Sequence, residues 1–353
     1  MSLKKILAVI LSLAIVLAML SACGNEDGDK NVTPGTENNT PTSENDDNAG
    51  DVTPETSEIR IASLKGPTTI GMVKLMDDSD NGKTDLSYNV SIYGTADEIV
   101  GLLVGGDIDI ANVPCNLASV LYKRTGKGIK VLDINTLGVL YVLNTDSGSA
   151  LTSVSDLKGK TIYSTGKGTT PEYVLNYILQ SNGIDPAKDV NIEYKSEATE
   201  VAAMLAESAD AIAVLPQPYV TVAMNQNDNL RIALDLTEEW EKIDGTQLVT
   251  GVTIVRTEFL EQNPNAVAKF MEDYAASVEY VNSNVDEAAA LVGGYDIVAE
   301  PVAKKAIPYC NIVLKTGDDM KTDIQNYLTV LYNSEPTSIG GELPDDSFYF
   351  LGK

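Results

Sequence analysis

From about Glu58 onward, short runs rich in β-branched residues alternate with longer stretches whose apolar positions recur at helical spacing. Short apolar runs bounded by turn residues read as strands, and apolar positions at i, i+3, i+4 and i+7 read as amphipathic helices. The pattern predicts strands at Ile59–Leu64, Ser87–Tyr93, Ile108–Val113, Ile129–Ile134, Val139–Asn144, Lys160–Tyr163, Val190–Tyr194, Ala211–Leu215, Leu230–Leu234 and Val249–Arg256. Between them it predicts helices at Thr69–Met76, Ala96–Val104, Asn116–Gly126, Pro171–Gly183 and Thr199–Glu207. After Arg256 the strands are expected to stop, leaving helices at Asn263–Asn282, Asp286–Leu291, Glu300–Ile307 and Thr316–Tyr332. Asn263-Pro264 suits a helix entrance, since proline there gives up only an N–H without a helical partner, and Gly183 suits an exit. Strands alternating with helices indicate an α/β fold with a largely parallel sheet.

Ahead of Glu58 the pattern is different. Lys4 and Lys5 precede an apolar run from Ile6 to Leu20 broken only by Ser12. A basic start, a short apolar core and small residues before a cut describe a secretory signal; a bilayer of ~30 Å needs ~20 apolar residues, more than this run supplies. Leu20-Ser21-Ala22-Cys23 resembles a bacterial lipobox, the alternative being an ordinary signal peptide with a chance cysteine. The resemblance implies a signal peptide at 1–22 and lipidation of Cys23, with the mature domain extracytoplasmic at the outer face of the bacterial cytoplasmic membrane. Residues 23–57 carry nine acids against Lys30 alone, and only Val32 and Val52 as sizeable apolar side chains. So little apolar surface cannot offset chain entropy, and a disordered acidic tether is expected.

The remainder, 58–353, is longer than a single hydrophobic core usually supports, which favours two lobes. Its 22 basic and 42 acidic residues give a net charge near −20. Nucleic acid is excluded as a partner on that ground, and anionic lipid is repelled, leaving the N-terminal lipid as the membrane contact. Cys115 and Cys310 are expected to be free thiols, although an exported protein can pair them. The sequence holds no histidine. That removes the commonest metal ligand and the side chain that titrates nearest neutrality, and it argues against a His-dependent hydrolase or a zinc site. No metal or other cofactor is expected. Asp77-Asp78-Ser79-Asp80-Asn81-Gly82 has part of a calcium-loop pattern, but Tyr88 stands where the bidentate Glu belongs.

The candidate chemistry lies at the C-terminal ends of the predicted strands. Lys65-Gly66-Pro67-Thr68-Thr69, Pro114-Cys115-Asn116, Thr165-Gly166-Lys167-Gly168-Thr169-Thr170-Pro171, Ser196-Glu197-Ala198-Thr199 and Pro216-Gln217-Pro218-Tyr219 each lead from a strand into a helical stretch. Any one of them is explained by turn and capping chemistry. Five of them, from two groups of strands, point to a crevice at the carboxyl edge of the sheets, where ligands bind in open α/β folds. Helix N-termini there offer unpaired N–H groups and partial positive charge.

The lipobox, the acidic tether, Asp107-Ile108-Asp109-Ile110-Ala111-Asn112-Val113-Pro114 and Asp156-Leu157-Lys158-Gly159-Lys160-Thr161-Ile162 together resemble the extracytoplasmic substrate-binding lipoproteins of ABC importers. The group associated with nitrate, sulfonate, taurine and thiamine-precursor uptake is most similar, and Gly166–Pro171 and Ala213–Pro218 strengthen the match. The resemblance covers 58–353 and implies a two-lobed periplasmic-binding-protein-like fold, with two mixed sheets flanked by helices and joined by a two-strand hinge. Lobe one would comprise 58–142 and 248–353 and lobe two 143–247, with crossovers near Tyr141–Thr145 and Leu234–Val249. The implied function is non-enzymatic: a monomeric receptor closes on a small molecule and delivers it to a permease driven by a separate ATPase. The alternative is an enzyme on the same scaffold, of pyrimidine-precursor or menaquinone-pathway type, and the missing histidine counts against the first kind.

Candidate ligand contacts follow the strand ends. Lys65, Pro67, Thr68 and Thr69 close the first, with the two threonine hydroxyl or backbone groups as donors, and Tyr93 is a candidate aromatic wall. Asn112, Cys115, Asn116 and Thr136 offer small or polar groups at the floor. Lys167, Gly168, Thr169 and Thr170 form the strongest motif, because two glycines let backbone approach a ligand at a helix start. It is not a nucleotide P-loop, because Lys167 precedes Gly168 where that motif needs Ser or Thr. Glu197 and Gln217 are polar partners for a ligand donor. Arg60, Arg124, Arg231 and Arg256 all fall away from these strand ends, which favours a neutral or weakly charged heterocycle over a strong oxyanion.

Overall fold

Eleven strands among the described residues sort into two sheets. The computed structural model describes residues 54–145, 151–208 and 211–352; the expected signal segment, most of the tether and Cys23 lie outside them. The strands are β1 (Glu58–Leu64), β2 (Ser87–Tyr93), β3 (Ile110–Pro114), β4 (Ile129–Thr136), β5 (Leu140–Thr145), β6 (Thr161–Ser164), β7 (Asn191–Tyr194), β8 (Ile212–Pro216), β9 (Leu230–Asp235), β10 (Gly251–Arg256) and β11 (Ile312–Lys315). The helices are α1 (Pro67–Ile70), α2 (Val73–Asp80), α3 (Ala96–Gly105), α4 (Cys115–Arg124), α5 (Thr170–Ser181), α6 (Ala198–Glu207), α7 (Tyr219–Gln226), α8 (Leu236–Asp244), α9 (Thr257–Gln262), α10 (Pro264–Ser283), α11 (Val285–Gly294), α12 (Glu300–Ala306) and α13 (Gly317–Ser334).

The first sheet has the order β11-β4-β10-β3-β1-β2 and the second β7-β6-β8-β5-β9. Both are mixed, as the family resemblance implies, and not largely parallel as alternation alone predicts. β1 runs parallel to β2 and β3, and β6 to β7 and β8. β10 lies antiparallel between β3 and β4, and β5 antiparallel between β8 and β9. The reversed strands are β10 and β11 in the first sheet and β5 in the second; β5 and β10 are the strands with which the chain enters each sheet from the other. Only three residues separate Thr136 of the first sheet from Leu140 of the second.

That step moves the first passage to 137–139; the expected Tyr141–Thr145 is β5, inside the second sheet. The return passage, expected as a strand-like link over Leu234–Val249, is mostly α8. Asp235 starts this helix by accepting from Thr237 N (2.8 Å). Trp240 fixes it, fully buried with its ring 4.9 Å from Tyr177 on α5 and 5.4 Å from Tyr327 on α13. Strands do not stop at Arg256 either, since the four-residue β11 forms an antiparallel edge against β4. The predicted helix Thr69–Met76 is two, α1 and α2, parted at Gly71-Met72. Ser277 Oγ donates to Gly71 O (2.7 Å) and accepts from Leu75 N (3.0 Å), which holds the break.

Each sheet is covered on both faces, so the inner strands are buried and mostly apolar, apart from a polar row of Ser63, Asn112, Thr253 and Asp133 in the first sheet. In the first, Ile59 and Ile61 pack with Phe270 and Tyr274 of α10 and with α2, while Ala62 and Val113 pack with Ile99 of α3 and Leu121 of α4. In the second, α5 covers one face through Val174 and Ile178, and α6 and α7 cover the other through Val201 and Val220. Cys115 and Cys310 are separate, buried free thiols. None of the helices among the described residues is long and apolar enough to cross a membrane.

Candidate functional site

The carboxyl ends of β1, β2, β6, β7 and β8 converge on one cleft of ≈ 340 Å³ that takes its walls from both sheets. From the first sheet come Lys65, Pro67 and Thr68, then Thr95 and Asp97. From the second come the 165–171 turn, Lys195–Glu197 and Tyr219. Val139, Leu140 and Thr250, where the chain passes between sheets, complete the lining.

Local rules place these groups. At the end of β2, Thr95 N and Oγ1 both donate to Glu98 Oε2 (3.2 and 2.9 Å), a capping arrangement that starts α3 at the cleft wall. At the end of β6, Gly166 and Gly168 have φ of +70° and +78°, a region that side chains disfavour. A Cβ on Gly166 would stand 2.6 Å from Thr169 Oγ1, so the turn admits only glycine there. Of the first residues of α5, Pro171 has no N–H, and Glu172 N and Tyr173 N donate to Thr169 O (3.1 and 3.4 Å), which leaves the Thr170 N–H at the cleft. Gly168 N donates to Glu172 Oε2 (2.5 Å), so its N–H is also occupied.

Seven of the expected contacts line the cleft: Lys65, Pro67, Thr68, Lys167, Thr169, Thr170 and Glu197. Three hydroxyls are already committed, two to their own turns and one across the cleft. Thr68 Oγ1 donates to Leu64 O (2.8 Å), Thr169 Oγ1 to Gly166 O (2.7 Å) and Thr170 Oγ1 to Asn116 Oδ1 (3.3 Å). The other eight are not among its lining residues. Thr69 Oγ1 is buried against Ser63 Oγ and Leu64 O (both 2.7 Å). Asn112 Nδ2 donates beneath the cleft to Thr68 O (2.9 Å) and Ser63 Oγ (3.1 Å). Thr136 donates to Asn135 Oδ1 (2.9 Å), and Cys115 is buried in the apolar core, where its thiol is pushed up from its ordinary range. Tyr93 packs partly buried against that core, and Gly168 is exposed on the turn outside the lining. Gln217 lines a different cavity.

Asn116 has another role. Fully buried on α4, it donates to Ser338 O (3.0 Å) and across to Gly168 O (3.4 Å) while accepting from Thr170. Tyr327 OH donates to Thr170 Oγ1 (3.3 Å), and Tyr219 OH to Lys65 O (3.5 Å). Direct hydrogen bonds therefore tie the two sheets' walls together around the cleft.

The lining residues not foreseen are chiefly Thr95, Asp97, Lys195 and Tyr219. Thr95 with Glu98 is a readable capping signature, and Tyr219 closes the Pro216-Gln217-Pro218 run; Asp97 and Lys195 carried no signal. Three lysines and two acids supply the charge of the cleft. Lys195 is partly engaged by Glu193 (3.8 Å) and the Tyr163 ring (5.7 Å). No arginine is among the lining residues: Arg60 (2.6 Å) and Arg256 (3.5 Å) pair with Asp109, and Arg231 Nε donates to Asn144 Oδ1 (3.1 Å). Among the described residues, no group of three or more Cys, Asp or Glu is placed to hold a metal ion.

A family model described as NMT1/THI5 like matches residues 106–288. The solved structure of an ABC transporter from Parabacteroides distasonis is 22% identical over 83% of this chain and 99% of its own, with a TM-score of 0.69. The periplasmic aliphatic sulphonate binding protein of Escherichia coli is 15% identical over 79% of this chain and 88% of its own, with a TM-score of 0.65. For the periplasmic nitrate-binding protein of Synechocystis the identity is 14%, the coverage 69% and 67%, and the TM-score 0.55. No curated protein matches the chain. With a family match over half of its length and two mixed sheets folded as in ABC-importer binding proteins, this chain belongs to the NMT1/THI5-like family.

Proposed function

We propose that the protein is an extracytoplasmic solute receptor, which captures a small molecule between its two sheets and presents it to the permease of an ABC importer. The observation that carries this reading is the cleft itself, walled by strand ends from both sheets and by the starts of α3, α5 and α6. Two lobes, expected at 58–142 with 248–353 and 143–247 and redrawn by the sheets as 58–136 with 251–353 and 140–244, would rock about the passages at 137–139 and 245–250. Lipidated Cys23 would hold this monomer at the membrane, with the acidic tether as spacer. An enzyme on the same scaffold is the weaker reading, because the sequence has no histidine to move a proton near neutral pH.

The related sulphonate- and nitrate-binding structures are named for oxyanion ligands. Here Asp97 and Glu197 offset two of the three lysines, the third, Lys195, is partly engaged by Glu193, and no guanidinium fork lines the cleft. A neutral or weakly charged heterocycle fits that balance better than a strong oxyanion. A thermal-shift screen of sulfonates, nitrate, pyrimidines, thiamine, riboflavin and amino acids tests it, since a ligand that binds only the folded state raises Tm. A heterocycle should stabilise most, with closure visible in small-angle scattering. Turnover of any of these compounds would overturn the receptor reading.

A further inference from the structure

The connection between β8 and α7 divides its side chains between two cavities. Pro216 and Tyr219 line the cleft, whereas Gln217 and Thr221 line a second cavity of ≈ 310 Å³. Met224 and Ile232 wall it from the second sheet's side, and Tyr309 from the segment after α12. Ile232 and Tyr309 are 42% and 60% exposed, two of only five large apolar side chains left in solvent among the described residues. Isolated exposed apolar residues are ordinary, but two that meet at one concavity mark a binding surface.

The acceptors of this cavity, Gln217 Oε1 and Asn225 Oδ1, are already engaged, which leaves donors facing it. Gln217 is 3% exposed, and its Oε1 accepts from both the N–H (3.3 Å) and the hydroxyl (2.9 Å) of Thr221. The Thr221 N–H requires an acceptor, so the amide oxygen must face it, and the Gln217 NH₂ faces away toward the cavity it lines. No described residue accepts from that NH₂. At the rim, Lys305 Nζ donates to Asn225 Oδ1 (2.8 Å) and meets no described carboxylate within ion-pair distance. In a chain of net charge −26, no acid lines this cavity. The nearby Asp235 is turned to cap α8. Burial raises the Tyr141 phenol, also in the lining, to about 12, so it keeps its proton near neutral pH.

We propose that this cavity is a second small-molecule site, for an organic monocarboxylate with one ring or a branched apolar body. The carboxylate accepts from Gln217 Nε2 and Lys305 Nζ, and the body packs against Tyr309, Ile232 and Met224. The volume is at the small end of ligand pockets, which suits a single ring.

The probes are 4-fluorobenzoate and its neutral isostere 4-fluorobenzamide, titrated into the full chain and followed by fluorine NMR. The acid should bind saturably and roughly tenfold more tightly than the amide, since a charged acceptor strengthens both hydrogen bonds. Gln217→Leu and Lys305→Ala should each weaken it by roughly fivefold or more, and Lys167→Ala in the cleft should leave it unchanged. Lys305→Ala and Tyr309→Ala alter exposed side chains and keep the test valid where Gln217→Leu does not fold. Affinity unmoved by Lys305→Ala and Tyr309→Ala, equal binding of the amide, or no saturation below about 10 mM would overturn the proposal. Loss of binding in Lys167→Ala would also overturn it, by placing the acid in the cleft, and would leave the receptor reading standing.

Discussion

Replacing Asp133 by asparagine should stabilise the protein at neutral pH. Asp133 lies in a transverse row of polar side chains, Ser63, Asn112, Thr253 and Asp133, that faces one another across β1, β3, β10 and β4. It is fully buried; Oδ1 accepts from Thr253 (2.9 Å), while Oδ2 has no partner. No cation reaches it, and the nearby Tyr274 hydroxyl is also unpaired. Burial therefore raises the carboxyl from 3.8 to about 8, with the Thr253 hydrogen bond opposing only in part. The folded state holds a proton that the unfolded state has released, so stability is complete below pH 4 and falls as pH rises towards 8. Each pH unit in that window is a factor of ten, which at pH 7 amounts to roughly 4 kcal/mol at most and about 2 kcal/mol if water enters the site. Asparagine keeps the acceptor for Thr253 and has no charge to suppress. Nothing else obscures the window: the sequence has no histidine, and Asp78, Asp156 and Asp185 are held below their ordinary range, so their stabilisation is lost only under acid conditions. Urea unfolding followed by Trp240, the sole tryptophan, from pH 5 to 8 reads the effect. Wild-type stability should fall across this range while that of Asp133→Asn stays flat, with the two converging near pH 4. Parallel pH profiles, or a variant less stable than wild type at pH 7, would show that Asp133 is ionised in the fold and would refute the argument.

Three further outcomes follow from the same geometry. Lys167→Ala combined with Thr169→Ala should weaken solute binding by about tenfold or more without lowering Tm by more than a few degrees; calorimetric titration with the best hit of the screen checks it. Asn116→Ala breaks the bonds to Gly168 and Thr170 between the two walls, so scattering should show a larger radius of gyration without ligand, and stability should fall by about 1–3 kcal/mol. Trp240→Ala empties a fully buried site between α5 and α13 and should cost about 3–5 kcal/mol in urea unfolding.

Most strands were legible because each is a β-branched run closed by turn residues, a local signal. The misplaced elements are those whose identity depends on distant partners. β11 is four residues long and becomes a strand only because β4 offers an edge. α8 was not foreseen, because a strand-like link between lobes was expected there; Asp235, which caps it, is its local signal. Sheet direction was out of reach of alternation alone, since β5 and β10 run antiparallel to their neighbours where the chain changes sheets.

The site was legible at the level of segments and much less so for side chains, and the reason is chemical. Ser, Thr and Asn are abundant at strand ends because their side chains bond to nearby backbone. Thr68, Thr69 and Thr169 each do so, and their hydroxyl protons are spent before a solute arrives. Asn112 shows the second obstacle: on a strand, one residue of parity decides whether a side chain faces the cleft or the core, and register with β1 and β10 sends it under the cleft. A turn-forming residue at the edge of an α/β sheet thus marks where a ligand binds while contributing little to the binding itself. Specificity here should reside in lining groups the turns do not consume, namely Lys65, Asp97, Lys167 and the Thr170 N–H. Exchanging the charge of Asp97 or Lys65 should accordingly change which solutes bind, whereas removing the Thr68 hydroxyl should change stability alone.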